Sequence, residues 1–165
     1  MNIRFENKVV LITGASSGIG AATAIEFAKS GARVAVNYHS TKEGADAVVE
    51  EINELGGEAI AIQADVTDDQ QVQDLVRQTI ERFGQIDILF TNAGTLVERK
   101  TLEETSEDLF RRIVDVNFTS AFLCCHAVIP HMKSRGWGRI INMASIAARN
   151  GGGRGAGHYS AAKAG

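Results

Sequence analysis

Tyr159 and Lys163 are four residues apart in the segment YSAAK near the end of the printed sequence. Residues at this spacing share one face of an α-helix, so a phenol and an ammonium group would be neighbours there. A nearby positive charge stabilises a phenolate, which suits a tyrosine that exchanges protons with a substrate. The pair therefore predicts an acid–base site, and a solvated surface pair with the same spacing is the alternative.

Ser145 and Asn117 are further polar residues at positions suited to chemistry. Ser145 comes just after a predicted strand, where its hydroxyl can bond a substrate oxygen or can simply begin a loop. Asn117 lies four residues after Ile113 on the apolar face of a predicted helix, where an amide must be hydrogen-bonded. A bond to neighbouring backbone and a catalytic task both satisfy that need.

The segment from Thr13 to Gly20 reads TGASSGIG and separates a predicted strand from a predicted helix. Glycines permit a tight turn and close approach to a ligand, and the helix N-terminus presents free N–H groups to a pyrophosphate. The spacing is G-x-x-x-G-x-G rather than the better-known G-x-G-x-x-G, but the flanking elements favour a dinucleotide site. Its predicted cofactor contacts are Gly14, Ser16, Ser17, Gly18, Ile19 and Gly20.

The end of the second predicted strand bears on which dinucleotide binds. An acidic residue there would bond the ribose hydroxyls of NAD, and its absence leaves room for the 2′-phosphate of NADP. No carboxylate stands in this segment, whereas Asn37, His39 and Ser40, and also Lys42, could donate to a phosphate. The sequence therefore favours NADP over NAD, unless these are only loop and cap residues.

Five short apolar segments predict strands at 8–13, 33–38, 59–64, 87–91 and 138–144. Helices are predicted between them, and the first covers 19–30. The second opens with a Ser40–Glu43 capping box, the third is capped by Thr67 and Gln70, and a long helix covers about 106–133. Strict alternation predicts one α/β domain over 1–165, a doubly wound parallel sheet with its ligand at the carboxyl ends of the strands.

Bulk properties exclude several functions. A net charge of -3 with scattered basic residues leaves no surface for nucleic acid. No continuous apolar stretch approaches the roughly 20 residues of a membrane span, which predicts no membrane association and a cytoplasmic protein. The adjacent Cys124 and Cys125 cannot form a disulfide framework. No metal is expected, because side chains adjacent on a helix point in different directions and no second ligand pair is present.

Taken together, these motifs resemble the short-chain dehydrogenase/reductase family. The resemblance rests on Thr13-Gly14-x-x-x-Gly18-x-Gly20, Asp65-Val66, Asn92-Ala93-Gly94, Asn117, Ser145 and Tyr159-x-x-x-Lys163. It implies a Rossmann-type sheet and an NAD(P)-dependent oxidoreductase acting on a small carbonyl or alcohol substrate. Sugars and 3-oxoacyl thioesters are candidate substrates.

The resemblance also implies a role for each matched residue. Asp65 and Val66 would contact the adenine, Asn92 would support the sheet, and Ala93 and Gly94 would lie near the cofactor. In the catalytic set, Tyr159 would exchange the proton, Ser145 would orient the substrate oxygen, Lys163 would bind the nicotinamide ribose and tune Tyr159, and Asn117 would hold a proton-relay water.

The sequence departs from the family pattern at three places. Family members continue past Lys163 with further strands and helices that complete the sheet, the substrate pocket and a subunit interface. The chain is therefore expected to be a C-terminally incomplete part of a homo-oligomeric enzyme. The Ser145–Tyr159 spacing is slightly long, and Ser17 stands where many NADP-preferring members have a basic residue, which weakens the NADP prediction.

Two other functional classes compete with the enzyme. A non-catalytic dinucleotide-binding module would need the glycine turn alone, and the missing C-terminal part supports it. The presence of Ser145, Tyr159 and Lys163 favours the enzyme. A flavodoxin-like domain shares the α/β alternation but has a different phosphate loop, so the Thr13–Gly20 segment argues against it.

Overall fold

The computed structural model describes residues 4–165, which form a five-stranded parallel sheet in the order β3-β2-β1-β4-β5. This confirms the predicted α/β architecture, and each observed strand lies at its predicted place to within two residues at either end. The strands are β1 (Val9–Ile12), β2 (Arg33–Tyr38), β3 (Glu58–Gln63), β4 (Ile88–Thr91) and β5 (Arg139–Asn142).

Helices cover both faces of the sheet, as a buried parallel sheet requires. Val10 and Ile12 of β1 belong to the core beneath the first two helices, while Val9 and Leu11 face the opposite core. All of β1 is buried, which explains its unbroken apolar sequence. The helices are α1 (Gly18–Lys29), α2 (Lys42–Glu54), α3 (Asp69–Phe83), α4 (Glu107–Val114), α5 (Ser120–Ser134), α6 (Ala147–Asn150) and α7 (Gly157–Ala164).

The central strand β1 pairs with β2 on one side and with β4 on the other. The chain winds outwards from β1 in one direction and then crosses back to continue from β4. Loops at the carboxyl ends of β1 and β4 therefore diverge and leave a crevice between them. The predicted glycine turn follows β1, and the predicted residues Asn92, Ala93 and Gly94 follow β4.

Both predicted capping boxes are wrong, because each helix begins one residue later than predicted. α2 is preceded by Thr41 rather than Ser40, without a side-chain cap, and α2 packs closely against the glycine turn at Gly44. α3 is capped by Asp68, which accepts a hydrogen bond from the Gln71 amide. Thr67 lies one residue before this cap, and its hydroxyl donates to Asp65 Oδ1 (2.7 Å).

The long predicted helix is present over Glu107–Ser134 but is not α-helical throughout. A π-helical segment, Asp115–Thr119, joins α4 to α5, and Asn117 lies inside it. By length and composition this helix could cross a membrane, although no membrane span was expected from the sequence. The core helix of a water-soluble protein can have the same length and composition, and here Cys124, Val128 and Met132 pack into the core.

Candidate active site

A cleft of about 540 Å³ opens at the carboxyl edge of the sheet and contains most of the predicted site residues. A second cleft, of about 690 Å³, lies at the opposite edge and is lined by none of them. Polar groups with predicted chemistry therefore converge on the smaller cleft. The predicted residues that line it are Gly14, Ser16, Ser17, Ile19, Asn37, His39, Ser40, Asp65, Val66, Asn92, Ala93, Gly94, Ser145, Tyr159 and Lys163.

The glycine turn at the cleft is held by contacts that leave no room for side chains. Gly14 has φ of 60°, and a Cβ on it would lie 2.9 Å from Ala93 Cα. A Cβ on Gly20 would lie 2.6 Å from Gly14 O and 2.6 Å from Asn92 Nδ2. Ser16, which is partly buried, and Ser17, which is exposed, lie just before α1, where free backbone N–H groups can meet a phosphate.

The expectation that Asn37 donates to a cofactor phosphate is not supported by its contacts. Its side chain is buried, and its Nδ2 donates to the carbonyls of Ala64 (3.1 Å), Ile62 (3.3 Å) and Tyr38 (3.3 Å). Its Oδ1 accepts from the Gly14 amide (3.1 Å). Since both amide protons are engaged by main-chain carbonyls, Asn37 shapes the turn instead of offering a free donor.

Asn92 connects β4 to the same turn across the crevice. Its Nδ2 donates to Thr13 O (2.9 Å) and to Gly14 O (3.0 Å), and the Ala93 amide donates to Thr13 Oγ1 (3.0 Å). These bonds fix the two strand ends at the point where they would otherwise separate. Asn92 is therefore a structural link between the two halves of the cleft.

Asp65, Val66, His39 and Ser40 form one end of the cleft. The Asp65 carboxylate accepts from the Thr67 amide and hydroxyl, and its other oxygen lies 3.6 Å from His39 Nε2. His39 and Ser40 are exposed, so their donors are available to a ligand. A carboxylate next to exposed donors can bond ribose hydroxyls or position His39 for a phosphate.

Asn117 does not line this cleft but supports its floor from the π-helical segment. Its Nδ2 donates to Thr95 O (2.7 Å) and Ile113 O (2.9 Å), and its Oδ1 accepts from the Thr95 amide (3.1 Å). A Cβ on Gly94 would lie 2.8 Å from this Oδ1. The π segment thus aims a buried amide at the loop after β4, and π segments are often found at functional sites.

Ser145, Tyr159 and Lys163 line the other end of the cleft, and Tyr159 and Lys163 lie on α7 as predicted. The Lys163 ammonium donates to Met143 O (3.0 Å), and burial lowers the pKa of this lysine. The Ser145 hydroxyl accepts from the Ala147 amide (3.2 Å) and can still donate its proton. A phenol, a hydroxyl and a half-buried ammonium can together hold and protonate one substrate oxygen.

Some cleft residues carry no sequence signal of their own. Each of them lies within two residues of a predicted site residue; Val116, for example, precedes the buried Asn117. Extending each motif by one or two residues would therefore have found them. They are Thr41, Ala64, Thr95, Val116, Met143 and Ala144.

His158 is also unpredicted. It is buried beside Tyr159, with Nε2 3.2 Å from Glu98 O.

The cleft therefore brings the glycine turn and the Ser145, Tyr159 and Lys163 side chains together, and comparison with known proteins shows the family. The family model described as short chain dehydrogenase matches residues 8–165. The chain belongs to the short-chain dehydrogenase family. Family membership confirms the resemblance read from the motifs.

Relatives in this family include reductases and dehydrogenases. A 3-oxoacyl-(acyl-carrier-protein) reductase from Synechocystis sp. is 46% identical over 158 residues, which cover 96% of this chain and 63% of the relative. An NADH-dependent reductase A1-R′ solved with NAD has a TM-score of 0.90 at 40% identity, covering 96% of this chain and 68% of that one. Levodione reductase has a TM-score of 0.93 at 38% identity, covering 98% and 63%.

Metal ligands do not cluster in the part of the chain that the structure describes: residues 4–165 contain no group of three or more His, Cys, Asp or Glu side chains suited to a metal ion. Cys124 is buried in the core, and burial raises the pKa of its thiol to about 12.

Proposed function

We propose that this chain is the cofactor-binding and catalytic part of an NAD(P)-dependent oxidoreductase that interconverts a carbonyl and an alcohol. The observation that carries the proposal is one cleft lined by both the glycine turn and the Ser145, Tyr159 and Lys163 side chains. A bound nicotinamide supplies or accepts the hydride. The cradle at Gly14 and Gly20, which a Cβ would fill, fits the close approach of a pyrophosphate.

The side chains of α7 and the β5 loop would carry the proton chemistry. In the reductive direction, the Tyr159 phenol donates its proton to the substrate oxygen while the Ser145 hydroxyl donates a hydrogen bond to the same atom. Lys163 would hold the nicotinamide ribose and stabilise the phenolate that remains. Oδ1 of Asn117 keeps a second lone pair, which supports its proposed role in holding a relay water.

The reacting group is proposed to be a ketone or secondary alcohol on a small molecule. Reduction of 3-oxoacyl thioesters is supported by the 46% identical Synechocystis reductase. Oxidation of sugars or polyols is supported by the likeness to an NAD⁺-bound xylitol dehydrogenase, at 34% identity and a TM-score of 0.92. The thioester reaction is favoured because that relative is more similar in sequence.

NADP is proposed as the preferred cofactor, with NAD as the alternative. His39 and Ser40 are exposed and remain available as phosphate donors. Asn37 already donates to the carbonyl of Ala64, and Lys42 Nζ already bonds Asp46 (2.5 Å). Replacing His39 with aspartate should move the ratio of NADPH to NADH affinity at least about tenfold towards NADH. An unchanged ratio in a competition titration would contradict a 2′-phosphate at this end.

The two tyrosines provide a matched test of the enzymatic proposal. Tyr159→Phe should abolish reduction of an acetoacetyl thioester while leaving NADPH and NADH binding intact. Tyr38→Phe, at the buried tyrosine of β2, should retain turnover. Cofactor binding by the wild type with no turnover of any ketone would instead favour the non-catalytic binding module, since the chain spans only 63% of its Synechocystis relative.

Homo-oligomerisation of the parent protein and a cytoplasmic location belong to the same proposal. Phe118 and Phe122, at 45% and 61% exposure, form an apolar surface on the long helix that a second copy could cover. Packing of the same helix into the core through Val128 supports an aqueous location. Sedimentation of the full-length protein and of a Phe122→Ser variant would test the oligomeric state.

A further inference from the structure

The acidic and basic residues are unevenly divided along the chain. All 20 Asp and Glu residues lie within 1–115, whereas residues 116–165 contain six Lys or Arg residues and no carboxylate. Two of these six, Arg149 and Arg154, belong to the segment that joins Ser145 to Tyr159. The segment that leads from Ser145 to Tyr159 therefore carries positive charge and no carboxylate, in a protein whose net charge is -3.

A second loop, after β4, is fixed against that segment by three contacts. The Arg99 guanidinium donates to Arg154 O (3.2 Å), the Lys100 amide donates to Gly155 O (3.2 Å), and His158 Nε2 lies 3.2 Å from Glu98 O. Because these contacts join the two loops next to Tyr159, Arg99 stands beside Arg154.

The loop after β4 also carries backbone strain. Val97 has φ of 62°, and the Glu98 amide bonds Leu96 O (2.8 Å), which makes a tight turn centred on a β-branched residue. Positive φ is unfavourable for such a residue and persists only when surrounding contacts impose it. The bonds of Arg99 and Lys100 to the segment before Tyr159 are contacts of this kind.

Three arginines on these two segments are available to a ligand. Arg99, Arg149 and Arg154 are exposed, and within residues 4–165 none of them forms an ion pair. Lys100 differs, because Glu98 lies 3.2 Å from its ammonium. We define Arg99, Arg149 and Arg154 as the arginine rim.

We propose that the arginine rim selects substrates that carry an anionic group, a phosphate or a carboxylate, at a distance from the reacting carbonyl. This inference rests on the proposed function and adds the substrate's charge to it. Arginine suits the task because its planar guanidinium bonds both anions through paired N–H donors. Positive charge at a cleft mouth also raises the local concentration of anionic substrates.

Matched pairs of substrates test the rim without changing the reacting group. Acetoacetyl-4′-phosphopantetheine differs from acetoacetyl-pantetheine only in its phosphate, and 5-oxohexanoate differs from its methyl ester in its carboxylate. The wild type should prefer the anionic member of at least one pair by about tenfold in kcat/KM at low salt, and the preference should shrink as salt rises. The pair that shows the preference identifies the anion.

Arg149→Gln/Arg154→Gln is the informative variant, because within residues 4–165 neither side chain makes a hydrogen bond that the fold would lose. It should reduce the preference to about twofold or less and leave kcat/KM for the neutral member unchanged. Lys133→Gln, an exposed cation on α5 near the opposite edge of the sheet, should retain the full preference. An equal kcat/KM for both members of both pairs in the wild type, or an undiminished preference in the double variant, would overturn the proposal.

Binding of the same pairs to the oxidised-cofactor complex, measured by calorimetry, separates this inference from the enzymatic one. The anionic member could bind more tightly, in a salt-sensitive way, while neither member is reduced in the turnover assay. That result would support the rim and contradict the proposed reaction. Turnover without charge preference would contradict the rim and leave the proposed reaction standing. Binding of neither member to the cofactor complex would overturn the rim.

Discussion

The two ends of the cleft are built in different ways. At the dinucleotide end, β1 is buried along its whole length, and the Asn37 and Asn92 side chains tie the glycine turn to neighbouring strands. At the catalytic end, the segment between Ser145 and Tyr159 contains four glycines with positive φ. One end is interlocked by side-chain hydrogen bonds, and the other is joined by a glycine-rich loop.

This difference separates two kinds of mutational effect. Changes at the interlocked end should disturb folding and cofactor binding together, since the same contacts serve both. Changes at the catalytic end should alter turnover with little cost in stability, because Ser145, Tyr159 and Lys163 belong to neither core cluster. The following variants test whether the two kinds of effect are separate.

Lys163→Met should have the largest effect, a loss of about 10²–10³-fold in kcat, because it removes the charge that supports the phenolate. Burial lowers the pKa of Lys163, so the folded state disfavours the charged lysine, and removing it offsets the loss of the bond to Met143 O. The melting temperature of the variant should therefore change little. Lys133→Met, at an exposed lysine, is the control. A marked drop in melting temperature for Lys163→Met would contradict the expected separation of turnover from stability.

Gly20→Ala should weaken binding of NADPH and NADH by about tenfold or more and lower stability by about 1–3 kcal/mol. The added methyl group would lie 2.6 Å from Gly14 O and from Asn92 Nδ2, so the turn must shift. Gly157→Ala adds the same methyl group where no atom lies within 4 Å. Fluorescence titration and thermal unfolding of both variants should show the loss only at Gly20.

Asn92→Ala should cost about 1–3 kcal/mol in unfolding free energy, because the carbonyls of Thr13 and Gly14 lose their donor. Cofactor affinity should fall with it, unlike the separation expected for Lys163. Asn53→Ala, at an exposed position of α2, should change neither property. Retained stability in urea unfolding of Asn92→Ala would show that the two ends are not linked through this residue.

His131 gives the smallest predicted effect, at the edge of the sheet away from the cleft. Its Nε2 accepts a hydrogen bond from the Ile86 amide (3.2 Å), which requires the neutral ring. Burial, and then Arg135, lower its pKa from the ordinary 6.5, although Asp87 opposes them.

The unfolded chain therefore takes up the proton at higher pH than the folded chain. Stability from this bond should be complete above 6.5 and should be lost as pH falls through the lower folded pKa, by about 1 kcal/mol at most. His131→Gln should flatten this part of the stability curve. Melting temperatures that depend equally on pH in both proteins would contradict the prediction.

The sequence predicted the fold and most of the cleft for a physical reason. The carboxyl ends of parallel strands meet at one edge of the sheet. Motifs far apart in the chain, such as Gly14 and Asn92, could therefore be placed together from the sequence alone. The predicted helix caps were wrong because two adjacent residues at each start can serve as a cap, and the sequence pattern did not choose between them. The helices begin after Thr41 and Asp68, one residue later than predicted.

Other features needed the three-dimensional arrangement. The role of Asn37 depends on carbonyls from β3, and the π-helical segment around Asn117 has no period of its own in the sequence. The arginine rim combines two loops that are more than 50 residues apart. Sequence reasoning also treated the basic residues as scattered, because it did not weigh the absence of carboxylates after Asp115.

The most direct test of the central claim is an NMR titration of the labelled chain with NADPH and with NADH, following backbone amides. A single dissociation constant should describe shifts at Gly14, Gly20 and Gly94 and also at Tyr159, because one ligand would span both ends of the cleft. The larger cleft at the other edge, which Gly56 lines, should stay silent. Shifts centred on Gly56, or shifts at the glycine turn with none at Tyr159, would contradict a shared site for cofactor and catalysis.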